Sequence, residues 1–189
     1  MIHPSAIIYP NVIIEDGAYI GPSCIIGCPP EIRGYDQKNA GVVIRKGARL
    51  EKMVVVDAGS GSQATVIDSN AFIMSQVHIG HDCFISRHVT IAAGATLAGH
   101  VKVDPRAFIG INAAIHQHQI IGMGAMIGAG SVVTKRTMNT LIMPFQTWVG
   151  VPARYIGYNK VGITRGGYSM ADVHQATEIY MEEYPLQIS

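Results

Sequence analysis

Charge is scarce in this chain. Only 14% of its 189 residues are Asp, Glu, Lys or Arg, and the formal net charge is +1. No basic excess is present to recognise nucleic acid or to hold the chain on a membrane surface. No apolar run approaches the roughly 18 residues of a membrane span. The opening "MIHPSAIIYP" lacks the basic-then-apolar form of a secretory leader. These absences lead us to expect no nucleic-acid partner, no membrane insertion and a cytoplasmic location. Cysteine is also rare. Cys24, Cys28 and Cys83 make an odd number without framework spacing, which suits a reducing compartment and reads as three small buried hydrophobes. Low charge does not mean disorder here, because 48% of the residues are apolar. With 21 glycines beside so few charges, the chain calls for turns and short strands.

What is there is a repeat. Steps of six from Ile67 land on Ile73, Ile79, Ile85, Ile91, Leu97, Val103, Ile109, Ile115, Ile121, Ile127 and Val133 without a miss. The first half behaves alike, through Ile2, Ile8, Ile14, Ile20, Ile26 and Ile32, then Ile44, Leu50 and Val56. A small residue usually follows four positions on, among them Ala18, Cys24, Cys83, Ala95, Ala107, Ala113 and Ala125. Six is neither the helical period nor plain strand alternation. It is the hexapeptide period of a parallel β-helix, in which three hexads close a triangular coil of about 18 residues. The aliphatic residue points into the prism, and about seven coils, stacked about 4.8 Å apart, fit the chain. The fold class expected is an all-β parallel β-helix over residues 1–148.

Two stretches leave the pattern. "CPPEIRGYDQKNAG", residues 28–41, replaces part of a coil with Pro and Gly punctuation. "DAGSGSQA", residues 57–64, shifts the phase. Both read as loops walling a cleft. Residues 149–189 read as a connector and a short C-terminal α-helix, with Ser169 as N-cap, Asp172 three residues on, a stripe of Val173, Ala176, Tyr180 and Tyr184, and Pro185 past its end.

The coil geometry gathers the histidines. Hexads beginning at 79, 97, 115 and 133 lie above one another, so His81, His100, His116 and His118 share one face, with His78 at its edge. The face spans about 10 Å of rise. Three chemistries compete: solvation without a role, a metal site, and acid–base work. Histidine suits the last because its pKa lies near neutrality. No Ser–His–Asp triad is apparent, and alternation turns Cys83 inward, away from His81. A bound substrate attacking directly is therefore expected, with no covalent enzyme intermediate.

"HIGHDC", "LAGHVKVD", "FIGINAAIHQ" and "NKVGITRGGYS", in this order, resemble the bacterial UDP-N-acetylglucosamine O-acyltransferase family. The resemblance covers nearly the whole chain, including "GCPPEIRGY" and "AGSGSQATVIDSN". It implies a left-handed winding and the first step of lipid A synthesis, transfer of a hydroxyacyl chain from acyl carrier protein to the sugar. It implies His81 as general base, Asp82 orienting it, and the Gly99 N–H facing the oxyanion. His78, His100, His116, Gln117 and His118 would contact sugar, donor or nucleotide. Glu31 and Tyr35 would belong to the acceptor loop, and Asn159 and Arg165 would reach the nucleotide phosphates. Ala129 falls where acyl length is measured. The co-substrate would be acyl-acyl carrier protein or acyl-CoA, with no bound cofactor and no metal. The working unit would be a homotrimer with sites between subunits.

This chain departs from the family at several positions. The loop pattern Pro-Pro-Gln-Asp-x-Lys-Tyr has Ile32 and Gly34 where Asp and Lys are expected, Arg165 is followed by Gly166 instead of a second Arg, and His118 replaces an aromatic. Two alternatives follow. One is an acetyl-CoA-dependent N-acetyltransferase acting on a dTDP- or UDP-linked amino sugar. The other is a zinc-dependent lyase like the β-helix carbonic anhydrases, although Ile121 stands five residues past His116, where the second histidine of their close pair is needed. A non-catalytic binding solenoid is the third class.

Overall fold

A computed structural model describes residues 1–35, 40–134 and 141–185. The part of the 28–41 loop at 36–39 lies outside the described residues. The chain winds into a three-sided, left-handed parallel β-helix. One side carries seven strands, from Ile7–Ile8 through His78–Ile79, Thr96–Leu97 and Ala114–Ile115 to Val132–Val133. A second carries six and a third eight, the last ending in an antiparallel pair between Gln146–Val149 and Arg154–Tyr158.

The six-step aliphatics make the core. Ile79 pairs with Leu97, Leu97 with Ile115, and Ile115 with Val133, each directly above the last. All four are almost fully buried, as are Ile67, Ile73, Ile85, Ile91, Val103, Ile109, Ile121 and Ile127 on the other sides. Two-residue strands supply too little pairing to stand alone, so the aliphatic stack down the prism axis does most of the holding. The repeat has one false member. Ile32 keeps the six-step count, yet it lies in the loop after Cys28 and is 40% exposed. Its spacing is right but its flanking prolines take the backbone out of the coil.

The corners are tight. Among the described residues, twelve non-glycine positions take positive φ, including Asp82, His100 and His118 at 59°, 61° and 60°. The same backbone recurs at Asn11, Asn70, Asn112 and Arg106, so it belongs to the coil geometry and is not special to the histidines. Left-handed backbone costs roughly 1–2 kcal/mol for a residue with a Cβ, and the coil-to-coil hydrogen bonds, such as His100 N–H to the His81 carbonyl at 2.9 Å, offset it.

The segment after the rod holds two helices where the sequence shows one. The short α1, Lys160–Gly166, is capped by Asn159, whose side chain accepts from the Gly162 N–H. Its glycines hide it from a propensity reading. The second helix, α2, Met170–Glu183, begins at Ser169 with a reciprocal capping box to Asp172. Val173 and Tyr180 are its buried residues, and the Tyr180 hydroxyl donates to the Ile120 carbonyl at 3.3 Å. Lys102 on the rod pairs with Glu183 at 3.0 Å. The helix therefore docks on the six-stranded side.

Leu97→Ala removes a fully buried side chain between Ile79 and Ile115. We expect it to lower unfolding stability by about 3 kcal/mol in urea titration. A loss under about 1 kcal/mol would mean that the six-step residues do not carry the core.

Candidate functional site

The 18-residue register places functional groups in vertical columns at the corner after the seven-stranded side. His81 and Gly99 form one column, and Asp82, His100 and His118 form the next. Hydrogen bonds fix this register: the His81 carbonyl accepts from the His100 N–H at 2.9 Å, and the Gly99 carbonyl from the His118 N–H at 3.1 Å. The imidazole of His81 lies against Gly99. A Cβ on Gly99 would come within 2.5 Å of the ring's Cε1 and Nε2, and a Cβ on Gly80 within 2.9 Å of the Gly99 nitrogen. The two glycines therefore let two coils and one ring share a space that no larger residue leaves open. The Gly99 N–H has no acceptor among the described residues.

The carboxylate of Asp82 is the hub. Its Oδ2 accepts from His81 Nδ1–H at 2.7 Å and from the Ser60 hydroxyl at 2.5 Å, and its Oδ1 accepts from the Ser60 N–H at 3.0 Å. The Asp82 N–H in turn donates to the Thr65 hydroxyl at 2.9 Å. Burial raises the carboxyl's pKa, but the Ser60 and His81 donors outweigh it and hold Asp82 below the usual carboxylate range. An ionised carboxylate can only accept, so Nδ1 of His81 carries the proton and Nε2 offers a lone pair. His100 Nε2 lies 3.7 Å from Asp82 Oδ2. Its ring meets His81 edge-on, with centroids 5.0 Å apart, and stacks on His118 at 4.5 Å. Burial lowers the His100 pKa and its two imidazole neighbours lower it further, against the pull of Asp82. His100 thus presents a neutral ring at neutral pH.

A second carboxylate–imidazole pair sits beside the first. His78 Nε2–H donates to Asp57 Oδ2 at 3.2 Å, and the Cys28 thiol donates to Asp57 Oδ1 at 3.2 Å. Asp57 is 3% exposed. Its hydrogen bond to His78 raises the His78 pKa from 6.5 in spite of burial. Burial, with Asp57 adding to it, pushes the Cys28 thiol up to about 12, which keeps it a donor and removes it as a nucleophile.

The remaining sequence candidates are spread more widely. His116, Gln117 and His118 are exposed on the coil above Gly99, and Ala129 is exposed at a later corner. Glu31 is exposed in the 28–41 loop, and the Tyr35 hydroxyl donates to the Ser60 carbonyl at 3.4 Å. Asn159 is buried, donating to the Gly124 carbonyl at 3.0 Å while it caps α1. Arg165 is exposed in the last turn of α1. No hydrogen bond or ion pair joins Asn159 or Arg165 to the histidines among the described residues. Sequence reasoning missed Asp57, Ser60 and Thr65. An Asp at the end of a buried strand was the available signal for the first; a serine in a glycine-rich loop gives almost none.

Among the described residues one group has the composition of a metal site. The ligand atoms of His81, Asp82 and His100 lie within 4.8 Å of one another. Both Asp82 oxygens, however, already accept hydrogen bonds from Ser60, and one also accepts from His81 Nδ1–H. The set is arranged for proton transfer more readily than for a cation, which would have to displace those donors.

His78 should titrate with a midpoint above 6.5 in histidine NMR, and Asp57→Asn should return it toward 6.5. Because the folded value is raised, the pair stabilises the fold fully below the unfolded-state pKa and loses that contribution as pH climbs through the folded value. A His78 midpoint insensitive to Asp57→Asn would contradict the pairing.

No family model matches the chain. It is 30% identical, over 93% of its length, to an acyl-[acyl-carrier-protein]–UDP-N-acetylglucosamine O-acyltransferase of Agrobacterium fabrum, of which it spans 64%. Solved structures are similar too, among them these two. The UDP-N-acetylglucosamine acyltransferase of Campylobacter jejuni is 28% identical with a TM-score of 0.72, matching 96% of this chain and 83% of that one. The Bacteroides fragilis enzyme is 24% identical with a TM-score of 0.84, matching 100% and 72%.

Proposed function

We propose that this relative of the UDP-N-acetylglucosamine O-acyltransferases is itself an acyltransferase, moving an acyl group from acyl carrier protein to a hydroxyl of a UDP-linked N-acetylhexosamine. The observation that carries the proposal is the state of His81. Its Nδ1–H is held by an ionised Asp82 at 2.7 Å, its Nε2 is free, and its ring lies against Gly99. Base and anion-stabilising donor therefore face the same small volume.

The reaction follows from that arrangement. Nε2 of His81 takes the proton of the acceptor hydroxyl as its oxygen bonds to the thioester carbonyl carbon. The carbonyl oxygen becomes an oxyanion, and the Gly99 N–H donates to it. The tetrahedral intermediate collapses, the C–S bond breaks, and the thiolate recovers the proton from the His81 imidazolium. The products are the acylated nucleotide sugar and the carrier thiol. Asp82 stabilises the imidazolium that forms midway, and it remains ionised throughout. The neutral ring of His100 suits a hydrogen bond to the uncharged parts of donor or sugar. His78, held toward its cationic form, suits an anionic group such as the diphosphate.

Other features belong to the same proposal. His100 is 42% exposed on its side chain and His118 is exposed, so one chain leaves the far wall of the cleft open. A homotrimer with sites between subunits closes it. Arg165, exposed in the last turn of α1, then serves the nucleotide phosphates, while Asn159 caps and anchors the helix that carries it. The small Ala129 admits a longer acyl chain. Three free cysteines among the described residues and a carrier-protein donor support a cytoplasmic reaction.

His81→Ala should reduce transfer from a 3-hydroxyacyl carrier protein to UDP-N-acetylglucosamine by at least about 100-fold, with circular dichroism and assembled mass unchanged. Wild-type turnover in that variant would end the proposal. Turnover of acetyl-CoA with a dTDP- or UDP-linked amino sugar, and none with the carrier-protein pair, would replace it with N-acetylation.

A further inference from the structure

The two excursions from the coil touch each other and then touch Asp82, the partner of the base. The 28–41 and 57–64 loops are joined by an isolated antiparallel bridge between Gly41 and Gly59, with Gly59 N–H donating to the Gly41 carbonyl at 3.0 Å and Ala40 N–H to the Gly59 carbonyl at 3.0 Å. The Tyr35 hydroxyl donates to the Ser60 carbonyl at 3.4 Å. Gly59 is fixed in place, since a Cβ there would lie 1.9 Å from the Gln63 carbonyl oxygen. From this joined pair a single residue reaches the catalytic corner. Ser60 gives Asp82 both of its donors, the N–H to Oδ1 at 3.0 Å and the hydroxyl to Oδ2 at 2.5 Å.

We propose that Ser60 is the positioning residue of the His81–Asp82 pair, and that through it the joined loops set the orientation and tautomer of the base. This rests on the acyltransferase reading for its consequence in turnover, and on geometry alone for its effect on the imidazole. A carboxylate with four lone-pair sites can rotate about its terminal torsion. Ser60 removes that freedom: with one donor on each oxygen, the plane of the carboxylate is fixed and Oδ2 stays aimed at His81 Nδ1. The two donors also draw charge from the carboxylate. The remaining groups facing Asp82 are His81, His100 at 3.7 Å and the Thr65 hydroxyl, which accepts from the backbone N–H and never touches the carboxylate. Ser60 is therefore the one hydroxyl that donates to the dyad's carboxylate among the described residues. A base has to give its proton back to the leaving thiolate, so a carboxylate that grips the imidazolium too strongly slows the second half of the reaction. Ser60 moderates that grip. Tyr35, in the loop expected to meet the acceptor, holds the backbone that carries it.

The test begins with the apo protein and needs no substrate. In histidine-labelled NMR, Ser60→Ala should loosen the hold of Asp82 on the ring, so that His81 shows a mixture of Nδ1–H and Nε2–H tautomers where the wild type shows Nδ1–H, and Ser60→Thr, which keeps the hydroxyl, should restore the single tautomer. An unchanged tautomer in Ser60→Ala overturns the proposal, whatever the enzyme acylates. In steady-state assays with 3-hydroxyacyl carrier protein and UDP-N-acetylglucosamine, Ser60→Ala should lower kcat about 10-fold while KM for the sugar nucleotide stays within about two-fold. An unchanged kcat with a raised KM would make Ser60 a binding residue and overturn the proposal. A wild-type protein that turns over neither substrate would fail the functional reading alone, and the imidazole tautomer would still decide the role of Ser60.

Discussion

The register between coils is the constraint on which the rest depends. Each turn of the rod places a residue above its counterpart in the turn below, and the buried aliphatic stack keeps the phase from slipping. A shift of one residue would turn Ile79, Leu97 and Ile115 outward and scatter the corner columns. Because the phase is locked, groups far apart in sequence meet without any long-range motif. Asp82, His100 and His118 are stacked by the same rule that stacks the core.

On that frame the chemistry is set by a few short contacts. An imidazole free in water exchanges between its tautomers. His81 is held in one of them, because its Nδ1–H donates to Asp82 and Gly99 leaves room for its ring. Two carboxylate–histidine pairs lie on adjacent elements and differ in their surroundings. Asp82 is bonded to Ser60 and keeps a low pKa. Asp57 is almost fully buried and holds His78 toward its charged form. Two similar pairs can therefore perform different work, one moving a proton and the other holding a charge.

Much of this was legible before any coordinates. The six-step aliphatics gave the coil, and the coil gave the face on which His81 and His100 meet. The capping box at Ser169 and Asp172 was equally plain. Other features were hidden for physical reasons. Ile32 kept the count but not the backbone, because prolines override hydrophobic phase. The helix α1 carries Gly162 and Gly166 and owes its existence to the Asn159 cap and to docking, which propensity does not see. Ser60 and Asp57 matter through tertiary contacts made by loops and buried strand ends, and single-sequence patterns say nothing about where such side chains land. Gln119 is a further case: it occupies a buried corner position, and its Nε2 has no partner among the described residues.

A crystal structure with UDP-N-acetylglucosamine bound tests the central claim most directly. The account predicts a sugar hydroxyl within about 3.2 Å of His81 Nε2, with the Gly99 N–H pointing at the space where the thioester carbonyl would enter. A sugar ordered on another face of the rod, with His81 Nε2 turned to solvent, would contradict it.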